Sequence, residues 1–445
     1  MVDTNGTPNV RLAASTATGV EHQARVAVAR TDVAVLGDGL VARLAALGLA
    51  CVGVRTTLVQ PLDAVDAPSR PDTRPLALSK FSVEVFRRWR IWDAIAPTIS
   101  PIKHIHVSDQ GRLAGASLSA RRQGVHAFGY VSTHQAVADA LLFALDVHRG
   151  SSAPEADTAD GSELAARSIA SDMLHTVARN RLQSVYVGDA CASMEFTDGE
   201  LSASRLDATL MVGADGARSA LRKACGVGVK HWDHEQTALS FRCRFARPHQ
   251  NRAFERFTQS GPLALLPLVD GAMGVIWTRT SDDAVDLLSV SAADFRAQFQ
   301  RAVGWRLGSV LEIGPIERFP LHSSSAHQSV SERAVLVGSA AHALHPIGGQ
   351  GFNLAVRDIF SLVETVVQAR AQNRDIGAID VLAAYAKSRQ ADQLRMARAT
   401  RGLNALFSTT APPVVAGRSI GMTLFDLLPV AKRRMLDIAM GHITR

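Results

Sequence analysis

Asp32-Val-Ala-Val-Leu-Gly-Asp-Gly-Leu-Val-Ala42 is the stretch on which the fold turns. Four apolar residues, Val33 to Leu36, run into Gly37 as a buried strand does, and a helix-compatible run continues through Ala50. Thr56 to Val59 supplies a second short strand. Strand, glycine turn, helix and strand within about 30 residues make a βαβ unit, the core of a parallel nucleotide-binding sheet. Gly37, Gly39 and Ala42 form a GxGxxA pattern at the strand-to-helix turn. Gly37 permits the tight turn, Gly39 lets a pyrophosphate approach the backbone, and Ala42 allows close helix-to-strand packing. By itself the pattern also suits a glycine turn that binds nothing. The acid expected about twenty residues later, on the adenosine ribose, is replaced by Gln60. An amide still bonds ribose hydroxyls but lacks the charge-assisted component.

Outward from this unit, Leu210-Met-Val-Gly-Ala-Asp-Gly-Ala-Arg-Ser219 ends an apolar strand in an acid–glycine turn. A helix-forming run follows Ser219, which argues against a hairpin and for Asp215 bonding a cofactor polyol or the pyrophosphate surroundings while Gly216 makes room. The most specific stretch is Ala334 to Asp358, AVLVGSAAHALHPIGGQGFNLAVRD. A buried strand ends at Gly338, and a loop containing Gly348, Gly349 and Gly351 delivers the chain into a new helix near Phe352. A helix start there offers unpaired N–H groups and partial positive charge to an anionic ring system, and glycine backbone lets a flat ring come close. His342 and His345 lie three residues apart without Cys or carboxylate neighbours, so no metal site is expected.

The chain of 445 residues suggests two or three structural units, with 47% apolar and 20% charged residues as in a globular protein. The net charge of +7 is dispersed, without aromatic interleaving, so nucleic acid is not expected as a partner. Cys51, Cys191, Cys225 and Cys243 form no CxxC pair, so a reducing, cytoplasmic setting is expected. The longest apolar stretch, Leu44 to Val54, is about half the ~20 residues that a membrane span needs. Residues 1–30 lack the apolar centre of a secretory signal, weakly resemble a transit peptide, and read as a flexible extension. Residues 150–172, poor in large apolar side chains, read as a mobile insertion. Near the C-terminus, Phe425, Leu428 and Leu436 beside Lys432, Arg433 and Arg434 suit a docking helix or a helix lying on a membrane surface.

The three glycine-bearing stretches, in this order, resemble those of the class A flavoprotein aromatic hydroxylases. His345-Pro-Ile-Gly-Gly-Gln-Gly-Phe-Asn-Leu354 with Arg357-Asp358 resembles the ubiquinone-biosynthesis hydroxylases in particular. So do Arg74-Pro-Leu-Ala-Leu-Ser79, Ile105 to Asp109, Phe254-Glu-Arg-Phe-Thr258 with Gly261 to Pro267, and Tyr385, Arg389 and Asp392. Ser108-Asp-Gln-Gly111 and Val415 to Gly421 bring the likeness nearest to the branch acting on a 2-polyprenyl-6-methoxyphenol. The resemblance implies an α/β fold, a Rossmann-type FAD-binding domain with an inserted β-sheet substrate domain and a helical C-terminal tail. Residues 31–100, 130–230 and 325–400 would form the FAD domain, 101–129 and 231–324 the substrate domain, and 401–445 the tail.

It further implies FAD as cofactor, NAD(P)H as reductant, O2 and a polyprenyl phenol as substrates, and hydroxylation para to the phenolic oxygen. Gly37, Gly39 and Ala42 would face the pyrophosphate, Gln60 and Arg74 the ribose and phosphate side, Asp215 and Gly216 the ribityl region. Pro346, Gly348, Gly349, Gln350, Gly351, Phe352 and Asn353 would face the isoalloxazine. Ser339 stands where the family resembled carries Asp or Asn, and Thr133 and Gln135 where it more often carries Glu and Arg. His345 and Pro346 are the candidates for placing substrate or flavin. Other ubiquinone-biosynthesis proteins and the inner face of the membrane are the partners implied. Rival readings are a sister hydroxylase at another ring position, a small-phenol hydroxylase, and a catalytically silent scaffold.

Overall fold

The computed structural model describes residues 28–61, 71–112, 115–149, 173–179, 182–197, 203–258, 260–345 and 349–409, with 414 and 417. The N-terminal extension, the 150–172 insertion, Pro346, Gly348, the Val415–Gly421 likeness and the basic C-terminal segment fall outside these residues. The chain runs β1 (Val28–Leu36), α1 (Leu40–Ala50), β2 (Thr56–Pro61), β3 (Pro75–Ser79), α2 (Lys80–Arg88), α3 (Trp92–Ile95) and β4 (Ser100–Pro101). It continues through β5 (His104–Asp109), β6 (Gly115–Ser119), β7 (Gly129–Thr133), α4 (His134–His148), β8 (Leu174–Arg179), β9 (Leu182–Val187), β10 (Ala192–Thr197) and β11 (Ala203–Gly213). Next come α5 (Ala220–Ala224), β12 (Val229–Phe245), β13 (Arg252–Thr258), β14 (Gly261–Pro267), β15 (Met273–Thr280), α6 (Ser281–Ser289) and α7 (Ala292–Val303). The last are β16 (Val310–Ile313), β17 (Glu317–Ala326), β18 (Val330–Ser331), β19 (Ala334–Leu336), β20 (His342–Ala343), α8 (Gln350–Ala371) and α9 (Ile379–Ser408).

The first sheet has the path β18-β19-β11-β1-β2-β8, extended by β10 and β9. Its central pairs, β19 with β11, β11 with β1, β1 with β2 and β2 with β8, are parallel. A parallel sheet covered on both faces needs strands apolar throughout. β1 meets that demand: Val33 and Val35 enter a core with α1, α2, α4, α8 and α9, while Ala34 and Leu36 enter a second core on the opposite face. The expected strand starting at Asp32 begins four residues earlier, because Val28 to Thr31 also pair with β11. Between β3 and β4 the chain forms two helices, α2 and α3, separated where Arg90 adopts a left-handed φ of 56°.

The second sheet, β20-β17-β12-β15-β14-β13-β5-β6 with β16 on β12, is antiparallel except for β5 with β13. Alternation divides its side chains. Phe241, Cys243, Phe254, Leu265, Val275 and Trp277 pack against Phe295 and Phe299 of α7. The residues between them, including Ser240, Glu255, Ala264 and Ile276, point to the other face, across which α9 meets β13 and β14. Pro75 of β3 also meets this sheet, where a Cβ on Gly274 would come within 2.5 Å of it. No described helix is long and apolar enough to cross a membrane.

Candidate cofactor and substrate site

The carboxyl ends of the parallel strands meet at one edge, where ligands of open α/β sheets bind. Gly37 N–H donates to Val59 O, Ala214 N–H to Leu36 O, and Val337 N–H to Gly213 O, each at 2.9 Å. These bonds bring together the GxGxxA turn, the Asp215–Gly216 turn and the start of the Gly338 loop, separated by hundreds of residues in the chain. Gly37 is required by sterics: its φ is +133° and a Cβ would sit 2.5 Å from Ala214 O. Ala42 is fully buried and would lie 3.1 Å from that same Cβ, which explains its small size. Gly39 differs, since a Cβ there meets nothing within 4 Å. It is the N-cap of α1 and offers no side chain to the first-turn N–H groups, which leaves donors and a positive helix end facing open space.

Asp215 is half satisfied. Its Oδ2 accepts from Ala220 N at 2.6 Å and Leu221 N at 3.3 Å, fixing the start of α5, while its buried Oδ1 has no partner. Buried acceptors are normally paired, so Oδ1 fits a donor from a bound molecule such as a polyol hydroxyl. Gly216, at φ +82°, is also open where a Cβ would project. Arg222 locks this turn to the next loop: it donates to Ala217 O at 2.7 Å and to Ala340 O at 2.9 Å. Ser339, in the 3-10 turn Gly338–Ala340, is exposed at the same edge. Gly338 has φ +58°, and its Cβ would meet Val41 of α1 at 2.9 Å, so the two loops are pressed together.

Gln60 ends β2. Arg43 follows Ala42 and was not singled out by motif; its buried Nε has no acceptor, with Asp38 and Asp139 nearby and burial depressing its pKa. Thr133 caps α4 by accepting from Ala136 N at 3.2 Å, and Gln135 donates to Asp139 at 2.7 Å. Arg74 is gripped by Asp72 and lies 4.5 Å over the Phe319 ring, at the seam between β3 and the second sheet. Desolvation opposes the Asp72 charge, yet Arg74 and His134 beside it hold its carboxyl below the usual range.

The third loop enters α8 at Gly349, whose φ of +61° is left-handed and whose Cβ would touch Ala77 at 3.4 Å. No side chain caps α8, and Gly351 opens onto empty space. Gln350 is half-buried beside it, and Phe352 packs edge-on to Phe86 at 6.4 Å. Asn353 is committed elsewhere. Its amide donates to Ala77 O and Gly349 O, and its Oδ1 accepts from Ser79 N and Ser82 Oγ, all within 3.0 Å. Its side chain therefore staples α8 to β3 and α2, and the loop's shape depends on it.

His345 precedes that loop. A bulge in β12 between Asp233 and Gln236 re-aims His234 and Gln236 toward it. His345 Nε2 lies 3.0 Å from Gln236 Oε1, and the His234 ring stands edge-on at 4.9 Å. Burial, and secondarily His234, pushes its pKa down to about 4. The ring is neutral at pH 7, donates through Nε2, and keeps a buried unpartnered Nδ1. His342 instead bonds Asp358 at 2.6 Å, within a buried cluster in which Arg389 bridges Asp358 and Asp392 and Arg357 bonds Asp392. That cluster ties the segment after Gly338 to α8 and α9.

Open glycine cradles, two uncapped helix starts and the orphaned Asp215 Oδ1 fit a dinucleotide with a polyol and a flat ring. Residues 30–400 match the family described as FAD binding domain. The chain is 32% identical to ubiquinone hydroxylase UbiL of Rhodospirillum rubrum over 415 residues, covering 93% of this chain and 90% of that protein. It is 29% identical to 3-demethoxyubiquinol 3-hydroxylase of Escherichia coli, covering 92% and 98%. Its fold matches p-nitrophenol 4-monooxygenase PnpA of Pseudomonas putida with a TM-score of 0.71 at 18% identity, over 94% of this chain and all of that one.

Proposed function

The chain belongs to the FAD-binding-domain family and, within it, to the ubiquinone-biosynthesis hydroxylases, and from that membership we propose that it hydroxylates a polyprenylated methoxyphenol. The observation that carries this reading is the loop Gly349–Asn353, tied by Asn353 to β3, which itself meets the second sheet at Gly274, whose face bears Ala264, Leu266, Ile276 and Phe319, all partly accessible and apolar. Such a face suits a lipophilic ring. When bound, FAD reduced by NAD(P)H supplies the O2-derived oxygen that is transferred to the ring.

The protein's part is binding, orientation and water exclusion. Gly37, Gly39, Ala42 and the α1 start hold the pyrophosphate, with Gln60, Arg43 and Arg74 toward the ribose and phosphate side. Asp215 Oδ1 accepts from the ribityl region beside Gly216, and Ser339 reaches it through water because the side chain is short. Pro346, Gly348, Gly349, Gln350, Gly351, Phe352 and Asn353 shape the isoalloxazine cradle, where the α8 dipole favours negative charge near the ring. His345 offers a neutral acceptor at the mouth of the loop. We assign residues 31–100, 130–230 and 325–400 to the FAD-binding unit, 101–129 and 231–324 to the substrate unit, and 401–445 to a tail. For the tail we propose a docking role, on a membrane surface, on a biosynthetic partner or on the FAD-binding unit.

A strain lacking the gene tests the reading: its lipid extract is expected to accumulate a polyprenyl phenol short of one ring oxygen. Unchanged ubiquinone with no such intermediate refutes it. The name of the Escherichia coli relative favours one second reading, hydroxylation at ring position 3, and the mass and substitution of the intermediate decide between them. A purified protein without flavin absorbance would instead support the scaffold, which Gln60, Thr133, Gln135 and Ser339 together motivate.

A further inference from the structure

Glu255 is a carboxyl on the substrate face of the second sheet that no described group pairs with. Cross-strand register places it opposite Val107 of β5 and Ala264 of β14, and Ala264 opposite Ile276 of β15. Its strand neighbours Phe254 and Arg256 point to the α7 side, so Glu255 points to the side crossed by α9. Glu255, Ala264 and Ile276 each retain accessible surface although they sit in interior strands. Burial alone pushes the Glu255 carboxyl up to about 7. None of the charged groups on the surrounding elements contributes, among them Asp109 on β5, Arg242 and Arg244 on β12, Glu317 on β17 and Lys387, Arg389, Asp392, Arg395, Arg398 and Arg401 on α9. Asp109 is drawn toward Arg112, and Glu317 lies four strands away, about 19 Å at normal strand spacing. His345 Nε2 is engaged with Gln236.

We infer that the Glu255 carboxylate is a catalytic residue that takes the phenolic proton of the ring substrate, an inference resting on the function proposed above. The phenol O–H bond breaks, the proton moves to a Glu255 oxygen, and the electron pair stays on the ring oxygen. The phenolate so formed is the electron-rich ring that accepts the oxygen atom. When the hydroxylated ring carbon then loses its hydrogen to solvent as a proton, Glu255 returns its own proton to the ring oxygen. The aromatic diol and the carboxylate are restored. A carboxyl ionising near neutrality is matched to this task.

The test uses the flavin-loaded full chain, Glu255→Gln and a fluorinated methoxyphenol whose fluorine resonance reports ionisation. Wild-type kcat is expected to rise with pH through about 7 and then level off. Glu255→Gln is expected to lose about 100-fold in kcat at pH 7, with little change in KM, and to recover only toward the phenol's own pKa of about 10. At rest the bound probe is expected to be no more ionised in the wild type than in the variant, because a carboxyl ionising near 7 takes the proton of a phenol of pKa about 10 only during turnover. Equal kcat and the same pH profile in both proteins overturn the role of Glu255 while leaving the hydroxylase reading intact. A wild type that binds no phenol overturns both. Should Glu255→Gln fail to retain FAD, Glu255→Asp, which withdraws the carboxyl by one methylene, is expected to lower kcat yet keep the inflection, and wild-type kcat in it refutes the proposal.

Discussion

His345 makes the acid stability of the molecule predictable. The side chain is 1% exposed, and its pKa is depressed from 6.5 to about 4, first by burial and then by His234. A folded-state pKa below the unfolded value favours the deprotonated form on folding. The stabilisation is therefore fully present above the unfolded pKa of 6.5 and is lost as pH falls toward the folded value. Between about pH 7.5 and pH 4.5 some two units of this window are crossed, at about 1.4 kcal/mol each, so His345 alone removes about 3 kcal/mol. Replacing it with Gln keeps a donor near Gln236 but removes the titration. Near pH 7.5 the variant is expected to be less stable by about 1 kcal/mol, the scale of one neutral hydrogen bond. Near pH 4.5 the order is expected to invert, because other titrating groups are common to both proteins and cancel. Urea unfolding followed by flavin and tryptophan fluorescence across this range measures the difference. Two curves that stay parallel would mean that His345 is not held neutral, and the assignment of Nδ1 as a free acceptor fails with them.

Gly39 and Gly351 face open space, so Gly39→Val and Gly351→Val are expected to fold normally yet elute without flavin absorbance after gel filtration, whereas full retention would refute the cradle. Gly349→Val carries the added cost of a left-handed φ of +61°, and a lower thermal midpoint should accompany its loss of FAD. Gln60→Glu and Ser339→Asn are each expected to tighten FAD by about 1 kcal/mol or less, read by titrating apoprotein; unchanged or weaker binding in both would mean that the local geometry has adapted to Gln and Ser. Replacing Lys432, Arg433 and Arg434 with Gln should lower liposome binding and turnover of long-chain substrate while sparing NAD(P)H oxidation driven by a short soluble phenol, at about 1 kcal/mol per basic group lost. A joint fall of both activities with thermal stability would make the tail structural.

Local chemistry made much of this protein legible in one dimension. A strand must be apolar to be buried on both faces, a glycine must stand where φ is positive or a backbone passes close, and a helix must begin after such a turn. Val33–Leu36, Gly37, Gly216 and Gly349 record those demands within a few residues, so βαβ architecture and the cofactor loops could be read directly. Roles that depend on burial could not. Asn353 looked like a flavin contact, but its amide is taken by partners 271 to 276 residues away. Arg74 reads as a phosphate-side cation, but its hold by Asp72 and Phe319 at the seam of two sheets is visible only in the fold. His345 meets Gln236 only because a bulge turns β12 toward it, across 109 residues. Glu255 lies in a stretch that the sequence marked only by its resemblance to the family, and Asp215 was expected to bond a cofactor polyol or the pyrophosphate surroundings; the ionisation of one and the unpaired oxygen of the other arise when distant elements close over them. The cost of desolvating a charge or a lone pair is set by everything packed around it, and that surrounding exists only in the folded chain.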